Sequence, residues 1–362
     1  MDIAIVTGSL GLIGAESVRF LTASGLKVVG IDNNMRRKFF GDDASTQWNR
    51  KVLEDECPSY VHYSNDIRSE SDMERIFSEY NQDIKLVIHA AAQPSHEWAR
   101  KEPGTDFTIN ANGTLNLLQI TNKICSNAVF VYLSTNKVYG DLTNTLPLVE
   151  YQTRWELESD HRFYERGINE SMSIDCSTHS FMGVSKLAGD LLVQEYGRNF
   201  GLKTVCFRAG CLTGSTHSGV KLHGFLSYLM TCAMKKQKYT VIGYKGKQVR
   251  DNIHSKDLVK ALYVFYKKPA LGKVYNIGGG RFSNCSVLEA IAMCEEISGN
   301  KIQWAYEKKN RVGDHIWWIS DCSRFQSDYP EWKLQLDTKN ILEEIYEGLR
   351  RRIVSTGKKT IR

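Results

Sequence analysis

The feature that most constrains this chain is the glycine spacing of Gly8-Ser9-Leu10-Gly11-Leu12-Ile13-Gly14, which follows the apolar run Asp2–Thr7 and opens a helical pattern at Leu12–Ala23. Glycines spaced this way between a strand and a helix let the backbone approach a pyrophosphate, whose charge the helix N-terminus then stabilises. The next apolar run, Lys27–Ile31, leads into Asp32, about 20 residues on, where a carboxylate accepts hydrogen bonds from an adenosine ribose. Together they point to a bound dinucleotide. Asp32 would repel a 2′-phosphate and so favours NAD over NADP. Arg36, Arg37 and Lys38 argue the other way, although a solvated loop accounts for them equally well.

Short β-rich runs and helical patterns keep alternating to about residue 210. The expected strands are Asp2–Thr7, Lys27–Ile31, Lys85–His89, Ala128–Ser134 and Lys203–Arg208, and the expected helices Leu12–Ala23, Asp72–Tyr80, Gly113–Cys125 and Gly183–Asn199. Such alternation calls for an α/β fold, a Rossmann-type doubly wound parallel sheet covered by helices on both faces. The polar stretch Arg36 to Tyr63 reads as a surface excursion. At 362 residues the chain exceeds the usual ~100–200 of one domain. We expect an NAD-binding domain from residues 1–208 and 248–275, a smaller interleaved α/β substrate-binding domain from 209–247 and 276–350, and a basic solvated tail at 351–362.

Composition narrows the function classes. Lys and Arg number 47 against 41 Asp and Glu, a net +6 that is scattered, which suits an anionic small ligand better than nucleic acid. Nine Cys without a C-x-x-C pair or a His at ligand spacing read as reduced thiols in a cytoplasmic protein with no metal site. No run of ~18 apolar residues and no basic leader is present, so neither membrane insertion nor secretion is expected.

Further motifs follow in order: Asp66-Ile67, His89-Ala90-Ala91-Ala92, Asn110 before Gly113, Ser134-Thr135-Asn136-Lys137-Val138-Tyr139-Gly140-Asp141, Gly246-Lys247-Gln248-Val249-Arg250-Asp251 with Asp257, Asn276-Ile277-Gly278-Gly279, and Arg311. With these the chain resembles the extended short-chain dehydrogenase/reductase family of nucleotide-sugar epimerases and dehydratases, from its first strand to about residue 345. Within it, the strings at 134–141 and 246–251 are similar to those of the paratose/tyvelose type of 2-epimerase, which acts on a cytidine diphosphate deoxysugar. The resemblance implies NAD contacts from Gly8, Gly11, Gly14, Asp32, Asn33, Asp66, Ile67, Ala90, Ala91, Gln93, Asn110 and Lys186, and a homodimer or homotetramer. It implies sugar-nucleotide contacts from Arg250 and Arg311, with Arg208, Leu222 and His223 as further candidates around the loop after residue 208. Trp317-Trp318, near Arg311, reads as core packing.

The family's chemistry, as the resemblance implies, is oxidation of a sugar carbon, turnover of the keto sugar in the site, and re-reduction on the other face. A Tyr four residues before a Lys normally supplies the base, and a Ser or Thr positions the substrate oxygen. Thr135 and Lys186 match; the Tyr position holds Met182, whose thioether has no proton to exchange. Three readings follow: another acid/base, with His179 nearest in sequence and Tyr139 or Tyr164 as alternatives; a variant with weak turnover; or a protein that binds NAD and sugar nucleotide without catalysis. The dehydratases of the family carry Asp-Glu directly after the Ser/Thr. This chain has Asn136-Lys137 there, and neither an amide nor an ammonium is a suitable general base, which disfavours elimination. Hydride transfer with epimerisation is therefore expected, and the resemblance to the 2-epimerase type implies C2, with a 4-epimerase or 4-dehydrogenase on a UDP- or GDP-sugar as the alternative.

Overall fold

The computed structural model describes residues 1–217, 219–220, 224–311 and 313–357. Successive side chains of a strand point to opposite faces, and in β1 (Ile3–Thr7) both sets are apolar: Ala4 and Val6 enter one core cluster, Ile3 and Ile5 another. A strand buried on both sides needs a covered parallel sheet. That sheet comprises β1, β2 (Lys27–Ile31), β3 (Tyr60–Tyr63), β4 (Ile84–His89), β5 (Val129–Thr135), β6 (Lys203–Ala209) and β7 (Lys273–Ile277), in the order β7-β6-β5-β4-β1-β2-β3. Helices α1 (Leu12–Ala23), α2 (Glu70–Tyr80), α3 (Gly113–Ile124), α4 (Phe181–Phe200) and α5 (Ser255–Lys267) cover it. Leu258 and Phe265 of α5 share the first cluster with Val18 of α1, whereas Met73 of α2, Leu117 of α3 and Val193 of α4 share the second. The strand order reverses between β1 and β4, so a crevice opens beyond their C-terminal ends.

The expected surface excursion from Arg36 to Tyr63 is corrected. It holds the helices Met35–Phe40 and Gln47–Glu56 and then β3, which pairs in parallel with β2 from Val28↔Tyr60 to Ile31↔Tyr63. Three of the four β3 residues are only half-buried, as suits the edge of the sheet, so the strand lacks the apolar run that marks its inner neighbours. The opposite edge, β7, runs on to Ile277 across the expected boundary at 275.

Helices Phe225–Lys235, Val287–Ser298 and Thr338–Gly357 enclose Leu229, Met230, Ile291, Ile341 and Ile345, beside the parallel pair Tyr239–Ile242 and Trp304–Glu307. Strand Val249–His254 pairs with Cys211–Thr213, Asn284–Ser286 and Trp317–Trp318 and closes the crevice. Trp317 and Trp318 are fully buried with Tyr139, Phe163 and Val249. All nine thiols are free and seven are buried; burial pushes Cys125 and Cys285 up to about 12, so these two pack as small apolar groups. Among the described residues no helix is long and apolar enough to cross a membrane, and no cluster of metal-ligating side chains occurs.

Candidate active site

One cavity of about 1150 Å³ runs from the glycine turn to Arg250 and Arg311. At its first end Gly8 adopts a positive φ of 67° and passes so close to the chain after β4 that a Cβ there would lie 2.8 Å from Ala91 N. A Cβ on Gly14 would lie 2.0 Å from Gly8 O. Gly11 caps α1 with no side-chain bond, which leaves the first N–H groups of the helix for a ligand. Asp32 lines the same end, its Oδ2 accepting the Leu10 N–H at 3.0 Å and its Oδ1 the Asn34 N–H at 2.7 Å. Burial raises its pKa while these two donors oppose the rise. Asn33, Asp66, Ile67, Ala90 and Ala91 line this end too, and Asn33 Nδ2 donates to Asp66 Oδ2 at 3.1 Å. The cradle has room for a pyrophosphate only because its glycines lack side chains, so the residues fit a dinucleotide.

Gln93 borders the cavity, but its amide is bonded to Ser95 and Asp106. Asn110 is corrected: it does not line the cavity. Fully buried, it accepts from Gln93 N and donates to Gln93 O, Asp106 and Ser185, pinning the loop after β4 to α4.

The middle of the cavity is built by the end of β5 and the start of α4. Thr135 closes β5, and its Oγ1 accepts the Lys137 N–H at 3.3 Å. Ser180 caps α4, accepting the Gly183 N–H at 3.1 Å, and sets Met182 and Lys186 on the face toward the cavity. We expect Ser180→Ala to lower the unfolding free energy by about 1 kcal/mol, measured by urea unfolding; an unchanged midpoint would mean that the cap does not hold this turn. Lys186 Nζ donates to Leu133 O at 2.6 Å and lies 4.2 Å from the centre of the Tyr132 ring. Burial lowers its pKa to about 8, with Asp190 opposing the fall.

None of the three candidates for the missing base lines this cavity. His179 Nε2 lies 2.7 Å from Val138 O. Tyr139 is fully buried and donates to Asn276 Oδ1 at 2.7 Å, and Tyr164 sits beside Arg281. Arg208 is likewise corrected from substrate contact to a buried ion pair, with Nη2 2.8 Å and Nε 3.1 Å from the Asp190 carboxylate. A charge at the end of an inner strand is tolerated when paired, and the partner lies one helix away in α4.

At the far end Arg250 bonds Val249 O and the Asp314 carboxylate, and Arg311 lines the wall nearby. Burial would raise the Asp314 pKa, but Arg250 and Lys137 outweigh it and keep the carboxyl ionised. Leu222 and His223 lie outside the described residues. Three residues of this end escaped the sequence reading as site groups: Lys137, His96 and Asp314. Lys137 stood in plain view inside the 134–141 string, whereas nothing local marks His96 or Asp314.

The profile of the NAD dependent epimerase/dehydratase family matches residues 4–278, which spans the cradle, Thr135, Met182, Lys186 and Arg250. The chain belongs to this family. Over 350 residues it is 28% identical to the CDP-paratose 2-epimerase of Salmonella typhi, covering 95% of this chain and 98% of that protein. It is 27% identical over 293 residues to dTDP-glucose 4,6-dehydratase 1 of Escherichia coli (strain K12), covering 76% and 71% of the two chains. The structure of UDP-glucose 4-epimerase from Bifidobacterium longum, in complex with NAD+ and UDP, matches with a TM-score of 0.78 at 23% identity, over 97% of this chain and 99% of that one. This last likeness carries the fold. NAD is the cofactor that the family's description states.

Proposed function

We propose that this family member is an NAD-dependent nucleotide-sugar epimerase acting at C2 of a CDP-deoxysugar, through a transient keto sugar that turns over in the site. The observation that carries the reading is the content of this cavity: a glycine cradle at one end, Thr135 and Lys186 in the middle, and Arg250 with Arg311 at the other end. Bound NAD supplies the hydride acceptor and donor. The cradle and Asp32 hold the dinucleotide, Thr135 orients the substrate hydroxyl, and Lys186 keeps a positive field beside the reacting oxygen. Arg250 and Arg311 take the diphosphate, each able to offer a bidentate contact. The division into residues 1–208 with 248–275 and 209–247 with 276–350 then separates cofactor from sugar-nucleotide binding.

The choice of reaction rests on two supports. Asn136 follows Thr135, so no carboxyl pair is placed there to remove a proton and expel water. The string at 134–141 and the 28% identity to a CDP-paratose 2-epimerase favour C2 and cytidine. We further propose a homodimer or homotetramer, supported by the exposed Phe181, Val184 and Leu191 on one face of α4 and by Phe107, and a cytoplasmic location, supported by the nine free thiols.

Incubation of the purified protein with CDP-, UDP-, GDP- and dTDP-sugars, followed by NMR, tests the reading. We expect a C2 epimer from a CDP-deoxysugar. A C4 product from a UDP- or GDP-sugar would replace the C2 reading. Tight binding of NAD and nucleotide sugar with no product from any of the four would leave a binding protein, the reading that Met182 motivates.

A further inference from the structure

The proposed reaction needs a group that takes a proton from the sugar hydroxyl and returns it, and Met182 cannot do so. His179, Tyr139 and Tyr164 are excluded by position. His96 does line the cavity, with Nδ1 2.6 Å from Ser180 Oγ, but burial and then Lys137 hold its pKa down to about 3, which makes it a very weak base. Lys186 Nζ is bonded to Leu133 O and lies over the Tyr132 ring, and the epimerase reading already uses its charge beside the reacting oxygen.

Lys137 remains. It lies on the short turn Asn136–Tyr139 that leaves β5, directly after Thr135 and Asn136, and it lines the cavity. A Cβ built on Gly183 would lie 3.0 Å from Lys137 O, which places the Lys137 backbone against the first turn of α4, beside Met182. Its Nζ donates to Gly313 O at 3.0 Å, one residue from the Asp314 that pairs with Arg250. We propose that Lys137 exchanges the proton with the reacting sugar hydroxyl, in the place of the tyrosine that Met182 displaces; this rests on the epimerase reading above.

In the forward half-reaction one C–H and one O–H bond of the sugar break and a C=O bond forms. The hydride goes to the bound nicotinamide and the proton to the Lys137 amine, which becomes an ammonium. In the return half-reaction the hydride comes back to the opposite face of the carbon and the ammonium returns its proton to the oxygen, so neither proton nor electrons are gained or lost overall.

The surroundings make an amine available. Burial and then Arg250 lower the Lys137 pKa to about 8, with Asp314 and Cys211 acting against the fall. His96 and His315 also face Lys137, and both are held neutral. Arg311, Lys309 and Glu307 line the same end of the cavity. The sequence reading discounted Lys137 as a fixed ammonium; removal from water changes that.

The test has two parts. With [ε-13C]lysine in the full chain, free of substrate, the Lys137 resonance, assigned by its loss in Lys137→Arg, is expected to titrate near pH 8. A midpoint at or above 10 overturns the proposal whatever the turnover. For kcat/KM of wild type we expect a tenfold rise per pH unit below about 8 and a plateau above, since only the amine accepts the proton. Lys137→Arg, which retains the charge but not the exchange, is expected to lose about a hundredfold or more in kcat and the pH ramp, with binding of NAD and nucleotide sugar little changed. Lys137→Gln/Met182→Tyr is expected to regain activity over Lys137→Gln. Lys137→Arg turning over within threefold of wild type overturns this proposal alone, whereas wild type inert on every nucleotide sugar overturns the epimerase reading and this proposal with it.

Discussion

Gly14→Ala is expected to weaken NAD binding by about a hundredfold or more, read by calorimetric titration. The added Cβ would meet Gly8 O at 2.0 Å, far inside van der Waals contact, and the obstacle is backbone that cannot rotate away. Relief requires the glycine turn to open, yet Gly8 itself packs so closely on the chain after β4 that a Cβ there would lie 2.8 Å from Ala91 N. The strain has only the ligand cradle to move into. Overpacking of this kind costs about 1–3 kcal/mol, and at about 1.4 kcal/mol per factor of ten the upper part of that range gives the stated loss. Circular dichroism separates lost binding from lost folding. A folded Gly14→Ala variant that binds NAD as wild type does would contradict the placement of the pyrophosphate at this turn.

Arg208→Met is expected to cost about 3–5 kcal/mol in unfolding free energy, because it strands the Asp190 carboxylate in the core. Asp190 is fully buried, and without Arg208 it keeps only neutral donors, Ser134 Oγ at 2.5 Å and Gln194 Nε2 at 2.7 Å. The guanidinium also donates to Tyr139 OH at 3.1 Å, so three elements loosen together. Arg208→Met/Asp190→Leu is expected to be more stable than the single variant, since removing both charges leaves none unpaired. Urea unfolding decides between this role and substrate contact. An Arg208→Met protein of wild-type stability that fails to bind a nucleotide sugar would restore Arg208 to the substrate site.

These two positions also show what the sequence makes legible. Gly14 announces itself, because a glycine required by close backbone approach sits at a fixed spacing between a strand and a helix. The inner strands are legible for the same local reason: burial on both faces demands unbroken apolar runs. The edge strand β3 has no such demand and was hidden within polar sequence. Arg208 looked like a free cation because its partner, Asp190, lies on α4 and is brought to it only by tertiary packing. Met182 was visible by counting back from Lys186, but which group compensates for it was not. His179 was favoured for its nearness in sequence, and the fold turns its ring toward the Val138 carbonyl. Lys137 was read with the charge it would carry in water, and its burial is a property of the assembled cavity.

The central claim is that this chain epimerises a nucleotide sugar by hydride removal and return despite Met182. The measurement that tests it most directly uses substrate carrying deuterium at the carbon to be inverted, incubated in ordinary water and followed by NMR and mass spectrometry. Hydride return within one active site predicts an epimer that retains its deuterium at that carbon and takes no hydrogen from solvent. An epimer with the deuterium washed out would show proton abstraction at carbon instead, and would contradict the account.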